Sequence, residues 1–352
     1  MTAGAAVAAG AGKSPDAKPG GGLARAGREL LPYAVFLGAL LLVPAVFTRV
    51  PLYTMGNGVQ MAIVAIAALG LVPLTGYAKQ ISIGQAAFYG TGAYASALFT
   101  LKSGYSPLVA AAIGVAIAAG AAYVIGLLLF RVEGHYLALA TIGLGLVCSI
   151  AAREWDLTGR SEGLPGVPSL EPFGFAIVAD LQYYYLAAGV LFVAVVAVRA
   201  WVRSRIGRSL IAVGDSPVAA AASGINIAAR KRLAFVVAAA LASIAGSLYA
   251  HWVGYVDPST LDLLLSLQLL IVATVGGLRT VWGAPVGAFI IISLVQISQE
   301  TLPQISDKVG GQTEIPAYGL ALVLSLLLLP DGIAGAGANL VRWVRRGRGA
   351  DR

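Results

Sequence analysis

The stretch Arg203 to Arg232, RSRIGRSLIAVGDSPVAAAASGINIAARKR, decides how the rest of this chain is read. It lies between two long apolar blocks and carries Arg203, Arg205, Arg208, Arg230, Lys231 and Arg232 against the single acid Asp215. A basic excess between apolar blocks marks a cytoplasmic loop of a membrane protein. The loop is also punctuated. Ser216 before Pro217 is an N-cap followed by a first-turn proline, Val218 to Ser223 is small and helix-tolerant, and Gly224 is a C-terminal stop. The spacing predicts a helix of about two turns. So short a helix is marginal in water, which implies a partner surface that holds it.

Composition agrees with that reading. Hydrophobic residues make up 58% of the chain and charged residues 11%, against about 45–50% and about 25% in soluble domains. The net charge of +8 does not point to nucleic acid, because the basic residues sit in tails and short loops, where topology alone puts them. Cys148, the single cysteine, lies in an apolar segment, so neither an intrachain disulfide nor a thiolate metal site is available. No metal and no cofactor is expected.

Residues 1–30 are rich in Ala, Gly, Pro and Lys without hydrophobic period and are expected to form a disordered cytoplasmic tail. The first apolar run, Leu30 to Phe47, continues into Thr48-Arg49 and a further membrane segment, unlike a cleaved signal peptide, and is expected to stay as the first span. Apolar runs suited to a bilayer, where a helix needs about 20 residues, fall near 31–48, 58–75, 83–101, 107–130, 135–152, 181–201, 231–253, 263–278, 284–299 and 316–330. Backbone polar groups must be satisfied within lipid, and the alternation of a barrel is absent, so these segments are helices. The expected fold is an all-α polytopic transmembrane bundle of about ten helices over 31–335, followed by a basic cytoplasmic tail over 336–352.

Loop charge checks the count independently. With the N-terminus inside, ten crossings place the acidic loop 153–180 outside, together with the loops holding Asp257 and Asp262 and holding Glu300, Asp307 and Glu314. The basic loop 203–230 and the tail with Arg342, Arg345, Arg346, Arg348 and Arg352 fall inside. One missed helix would invert the downstream half, so the agreement supports an even count with both termini cytoplasmic.

The spans lack the buried carboxylates and histidines on which proton- and sodium-driven carriers rely. His135 and His251 stand near predicted helix ends and read as interfacial side chains rather than ligands. Catalytic signatures such as a nucleophile elbow or a phosphate loop are also missing. Small residues are abundant instead, which permits close helix packing.

The segment Leu71 to Tyr94, LVPLTGYAKQISIGQAAFYGTGAY, admits two readings. From Gly58 to Val72 a helix rises about 22 Å, short of a hydrocarbon core about 30 Å thick. Pro73 and Gly76 would then break the chain within the membrane, Ser82 and Gln85 would restart it with a capping-box spacing, and the exposed backbone would hold a polar solute. A plain interhelical turn is the other reading. Gln80, Ser82, Gln85 and Thr141 are uncharged hydrogen-bonding groups in segments otherwise committed to lipid or packing, and are the candidate substrate path.

These residues carry a resemblance to branched-chain amino acid ABC transporter permeases of the Liv type. Gly76-Tyr77, Gln80-Ile81-Ser82-Ile83-Gly84 and Gly92-Ala93-Tyr94 resemble the signature near the family's start. Gly134-His135-Tyr136-Leu137-Ala138 with Thr141 and Leu157-Thr158-Gly159 with Glu162-Gly163-Leu164 resemble later stretches, as do Ser204 to Phe235 and Leu265 to Gly287. The likeness covers about 58–335, and the long external loop favours the LivM branch over the LivH branch. Two departures stand out: Val218 replaces the Glu of the Glu-Ala-Ala loop motif common in ABC importers, and Lys79 stands where a small residue is usual.

The resemblance implies a permease subunit of an importer in the bacterial inner membrane that binds no ATP itself. It implies a heterodimeric pore with a homologous permease, an external solute-binding protein and two ATPase subunits. Gly207, Arg208, Asp215, Pro217, Ala219, Ala220, Gly224 and Asn226 are the positions it assigns to ATPase coupling. Urea and short-amide permeases share these signatures, and a secondary solute carrier is the rival of a different class.

Overall fold

A computed structural model describes residues 21–47, 49, 53–130, 135–171, 177, 179–305 and 319. The chain divides into two units, one ending at Leu42 and the other beginning at Val43. The first holds most of α1, Gly21–Phe47, which begins ten residues ahead of the expected first span and whose stretch Leu30–Phe47 is long and apolar enough to cross a membrane.

The second unit begins its helices with α2, Met55–Leu71, capped by Thr54, whose side chain accepts from the Asn57 amide. Then come α3, Gln85–Ser103, α4, Pro107–Leu129, α5, His135–Glu154, and α6, Asp180–Arg203. Two short helices follow, α7, Arg205–Asp215, and α8, Pro217–Ala222. The long α9, Ile227–Val253, leads to α10, Leu263–Gly276, and α11, Gly283–Ile305. Nine of the expected spans fall on α1 to α6 and α9 to α11; the tenth, 316–330, and the tail 336–352 lie outside the described residues, Gly319 excepted. By length and composition α1, the α2 crossing, α4, α5, α6 and α9 are able to span a membrane, while α10 and Gly283–Ile297 are shorter apolar helices. The chain is thus an all-α, multi-pass membrane protein.

Burial sorts these helices into a centre and a rim. The crossing that contains α2 has 94% of its apolar window buried, and α9 has 67%, whereas α4 and α5 have 22% and 28%. Val124 and Leu128 of α4 and Leu139, Val147 and Ile150 of α5 are large, apolar and open. Water would penalise such a surface, whereas lipid tails cover it.

Since lipid gives helices no hydrophobic reason to associate, the centre is held by close backbone approach. A Cβ on Gly246 of α9 would meet the Tyr89 carbonyl of α3, and one on Gly92 of α3 would run into Ser243 of α9. Small residues there are what allow α3 and α9 to lie side by side along their buried faces. Ser247 also donates to the Gly92 carbonyl at 3.1 Å.

One end of the bundle carries a cap built by the loop before α6. Strands β1, Leu164–Pro165, and β2, Tyr255–Val256, pair antiparallel, with Leu164 opposite Val256. Tyr255 donates its hydroxyl to the Glu162 carbonyl at 2.6 Å, and Arg153 pairs with Asp262 at 2.9 Å. His251 corrects its sequence reading. It is 2% exposed, with Nδ1 2.7 Å from the Pro168 carbonyl and Nε2 2.8 Å from Ser96 Oγ. A carbonyl only accepts, so Nδ1 donates to it, and in the neutral ring Nε2 accepts from Ser96. The ring therefore pins the loop to α3 and α9 rather than lying at an interface. The side chain of His135 lies outside the described residues.

Candidate functional site

Pro73 does not break the second crossing. Its ring removes an amide and crowds the carbonyl four residues back, and the helix answers by widening: Val72–Tyr77 is a π-helix in which the Ala78 amide reaches the Pro73 carbonyl at 3.0 Å. Helical chain therefore runs continuously from Met55 to Tyr77, 23 residues. The break falls later, over 78–84. Lys79 takes the left-handed conformation with φ 53°, Gln80 bonds back to Leu74, and residues 81–84 run without helix to Gln85.

The expected capping box does not form. Gly84 is the N-cap of α3 without a side-chain bond, and Ser82 Oγ is buried with no hydrogen-bond partner. Gln85, 1% exposed, instead donates from Nε2 to the Ala67 carbonyl of α2 at 3.2 Å and to the Ala238 carbonyl of α9 at 2.9 Å, leaving Oε1 unpartnered. Ala238 stands eleven residues into α9, so α3 begins about 16 Å along that helix. The non-helical segment makes the first part of this crossing.

Two hydroxyls from other helices satisfy amides that this irregular backbone leaves open. Thr141 of α5 accepts from the Ile83 amide at 3.1 Å while donating to Ala138, and Ser266 of α10 accepts from the Ala86 amide at 2.9 Å. Ser82, Gln85 and Thr141 thus gather at the start of α3. Gln80 does not join them, because its Nε2 turns back to the Ala78 and Lys79 carbonyls at 3.1 Å. Sequence reading missed Ser266. Its signal was a lone serine within the apolar run Leu263 to Leu270.

A cavity of about 540 Å³ opens one helical turn beyond Gln85. Its walls include Gln60 and Ile63 of α2, Tyr89 of α3, Tyr249 of α9, and Leu264 and Gln268 of α10. None of the four expected path residues lines it. Tyr89 lies four residues past Gln85, so the same face of α3 forms a cavity wall and, one turn away, carries the buried glutamine. Apolar walls with a few uncharged polar groups suit a small solute with both characters.

At the end of the bundle where α6 meets α9, the punctuated loop folds as its caps predicted. Ser216 Oγ accepts from the Ala219 amide at 3.3 Å to start α8, and Gly224 ends it at φ 77°. The 11-residue α7, capped by Ser204, was not foreseen. Pro217, Ala219 and Gly224 are exposed, whereas Gly207 and Ala220 are buried within the chain. Arg208 donates to the Arg203 carbonyl at 2.8 Å, and Asn226 caps α9 by accepting from Ala229 at 2.9 Å. Asp215 pairs with Lys79 at 3.1 Å, and Gly214 packs on the Tyr77 carbonyl. Tyr77 donates in turn to the Arg279 carbonyl at 2.9 Å. The loop, the π-helical end of the second crossing and the α10–α11 turn therefore meet at one place.

A membrane-spanning bundle with a solute-sized cavity, an irregular crossing beside it and a basic loop is an arrangement that suits a solute permease. Comparison with known proteins gives the family. Residues 55–329 match the family described as branched-chain amino acid transport system / permease component, and the chain belongs to it. It is similar to the high-affinity branched-chain amino acid transport system permease protein LivM of Escherichia coli K12, 24% identical over 289 residues, 75% of this chain and 66% of that protein. LivM of Salmonella typhimurium is 24% identical over 327 residues, covering 85% of this chain and 74% of the relative. The autoinducer 2 import system permease protein LsrC of Enterobacter sp. strain 638 is 29% identical over 240 residues, covering 65% and 63%. The chain spans about two thirds of the length of the E. coli relative. No solved structure matches.

Proposed function

We propose that this chain is one permease subunit of an ABC importer for branched-chain amino acids, working with a homologous permease, an external binding protein and two ATPase subunits. In this reading it crosses the bacterial inner membrane ten times over 31–335, with the tails 1–30 and 336–352 cytoplasmic. The observation that carries the proposal is the pairing of cavity and break along α3: a cavity with apolar walls and glutamine and tyrosine groups lies one turn from the buried Gln85.

A zwitterion with an apolar side chain needs polar contacts without strong fixed charge, each about 1 kcal/mol net, so that it enters and also leaves. Ser82, Gln85 and Thr141 form the lower part of that path, below the cavity, and Gln80 stands apart from them on the non-helical segment that leads in. Gly207, Arg208, Asp215, Pro217, Ala219, Ala220, Gly224 and Asn226 form the coupling loop, in which exposed α8 faces an ATPase groove. Motion of α8 would reach the path through Asp215 and Gly214 at the end of α7, which touch Lys79 within the break and Tyr77 just before it. The LivM relatives favour branched-chain substrates. LsrC shows that a similar chain is named for a different solute, so a urea or short-amide importer is the alternative.

The test is to purify the chain with its associated proteins, add the binding protein and measure ATP hydrolysis with leucine, isoleucine, valine and urea. Stimulation by the branched-chain amino acids supports the proposal. Stimulation by urea alone would replace the substrate, and the absence of any ATPase would point to a secondary carrier.

A further inference from the structure

A second cavity opens on the exposed side of α3, α4 and α5 among the described residues. It is a groove of about 690 Å³ with α3 as its floor, Ile117 of α4 on one side and Val147 of α5 on the other, and Trp155 at its mouth. Ile117, Val147 and Trp155 are 42%, 65% and 62% exposed. The groove follows α3 from Thr91 to Ser103, about 18 Å at 1.5 Å per residue. That is close to one leaflet of a hydrocarbon core about 30 Å thick. Its length and its largely apolar lining fit extended hydrocarbon chain.

The polar groups along it single out a headgroup. Thr91 and Thr158 spend their hydroxyls on the Ala87 and Ala152 carbonyls. Lys102, in the last turn of α3, has only the Leu157 carbonyl, at a long 3.5 Å, and no carboxylate pairs with it among the described residues. A lysine whose stem lies on an apolar wall and whose ammonium reaches the interface, beside an exposed tryptophan, is the usual arrangement at lipid phosphate depth.

We propose that this groove binds an anionic phospholipid, with an acyl chain along α3 between α4 and α5 and its phosphate on Lys102. The lipid would fill the gap between two rim helices and brace the α3 end that carries the cap. The inference needs the membrane-spanning bundle only, not the transport proposal or its substrate.

Cys148, the chain's only cysteine, lines the groove and reports on it. The experiment compares the rate of Cys148 alkylation by N-ethylmaleimide in nanodiscs of phosphatidylcholine alone and of phosphatidylcholine with phosphatidylglycerol. Phosphatidylglycerol should slow labelling several-fold in the wild type. Lys102→Gln, a change at an exposed site that keeps the fold, should erase the difference between the two lipids. Leu98→Trp should fill the groove and slow labelling equally in both. Equal rates for the wild type in the two lipids, or a phosphatidylglycerol effect that survives Lys102→Gln, would overturn the proposal. So would crosslinking of Cys148 to a second protein in native membranes, since the groove would then be a subunit interface.

Discussion

The seam between α3 and α9 and the loop helix α8 are built from the same small residues, yet they behave oppositely. At the seam, Gly92, Ala93, Ala238, Ala242 and Gly246 are buried, and their smallness lets two backbones touch. On α8, Ala220 packs inward, but Ala219, Ala221 and Ala222 lie open and Val218 is 81% exposed, so at those positions smallness serves no buried contact within the chain. A small residue is therefore ambiguous until its neighbours are known. At the seam it is satisfied by the fold, and on the exposed face of α8 it is not, which is why we propose a partner there.

A large effect that sharpens this contrast is expected at Gly246. Gly246→Val would drive a branched side chain into the Tyr89 backbone, where nothing can move cheaply. Overpacking of this kind costs about 1–3 kcal/mol or more, and the variant should lose its folded fraction in detergent, read by size exclusion and thermal melting. A melting temperature like the wild type would show that α3 and α9 do not approach as described.

Next is Gln85→Glu. A carboxylate at this position would face the Ala67 and Ala238 carbonyls in place of the amide that now donates to both. An uncompensated buried charge costs about 3–5 kcal/mol, so the variant should melt far lower, while Gln85→Leu, which loses two hydrogen bonds but also the unpartnered Oε1, should fall by only about 1–2 kcal/mol. Equal melting of the two variants would remove the bridge between α2 and α9.

How much of this was legible beforehand depends on the range of the interactions involved. The caps of α8 were readable because Ser216, Pro217 and Gly224 act within a few residues of one another. The positions of nine helices followed from apolar length in the same way. The capping box at Ser82 and Gln85 was a local inference that long-range packing overrode: Gln85 reaches carbonyls on α2 and α9 instead. The π-helix at Pro73 keeps a helix going where one of the two sequence readings stopped it, because a proline can either break a helix or widen it and the sequence does not say which. Likewise, the role of His251 depends on Pro168 and Ser96, which only the fold brings to its two nitrogens. The cavity was invisible in the sequence because its walls come from α2, α3, α9 and α10 together with Ser259, Thr260 and Gly319.

The smallest stability effect is expected at Ser82. Its hydroxyl is buried without a partner, so Ser82→Ala should leave the melting temperature unchanged rather than cost the roughly 1 kcal/mol of a lost cap. Uptake per folded complex should nevertheless fall if that hydroxyl serves the solute. Unchanged uptake together with unchanged melting would take Ser82 out of the path.

The most direct measurement of the central claim, that α8 is left for an ATPase, is solute-stimulated ATP hydrolysis by the purified assembly carrying Ala221→Trp. Ala221 is exposed and the chain itself has room for the larger ring. The account predicts that the variant chain melts as the wild type does, while leucine-stimulated hydrolysis falls at least several-fold. Full stimulation with the bulky residue in place would contradict it.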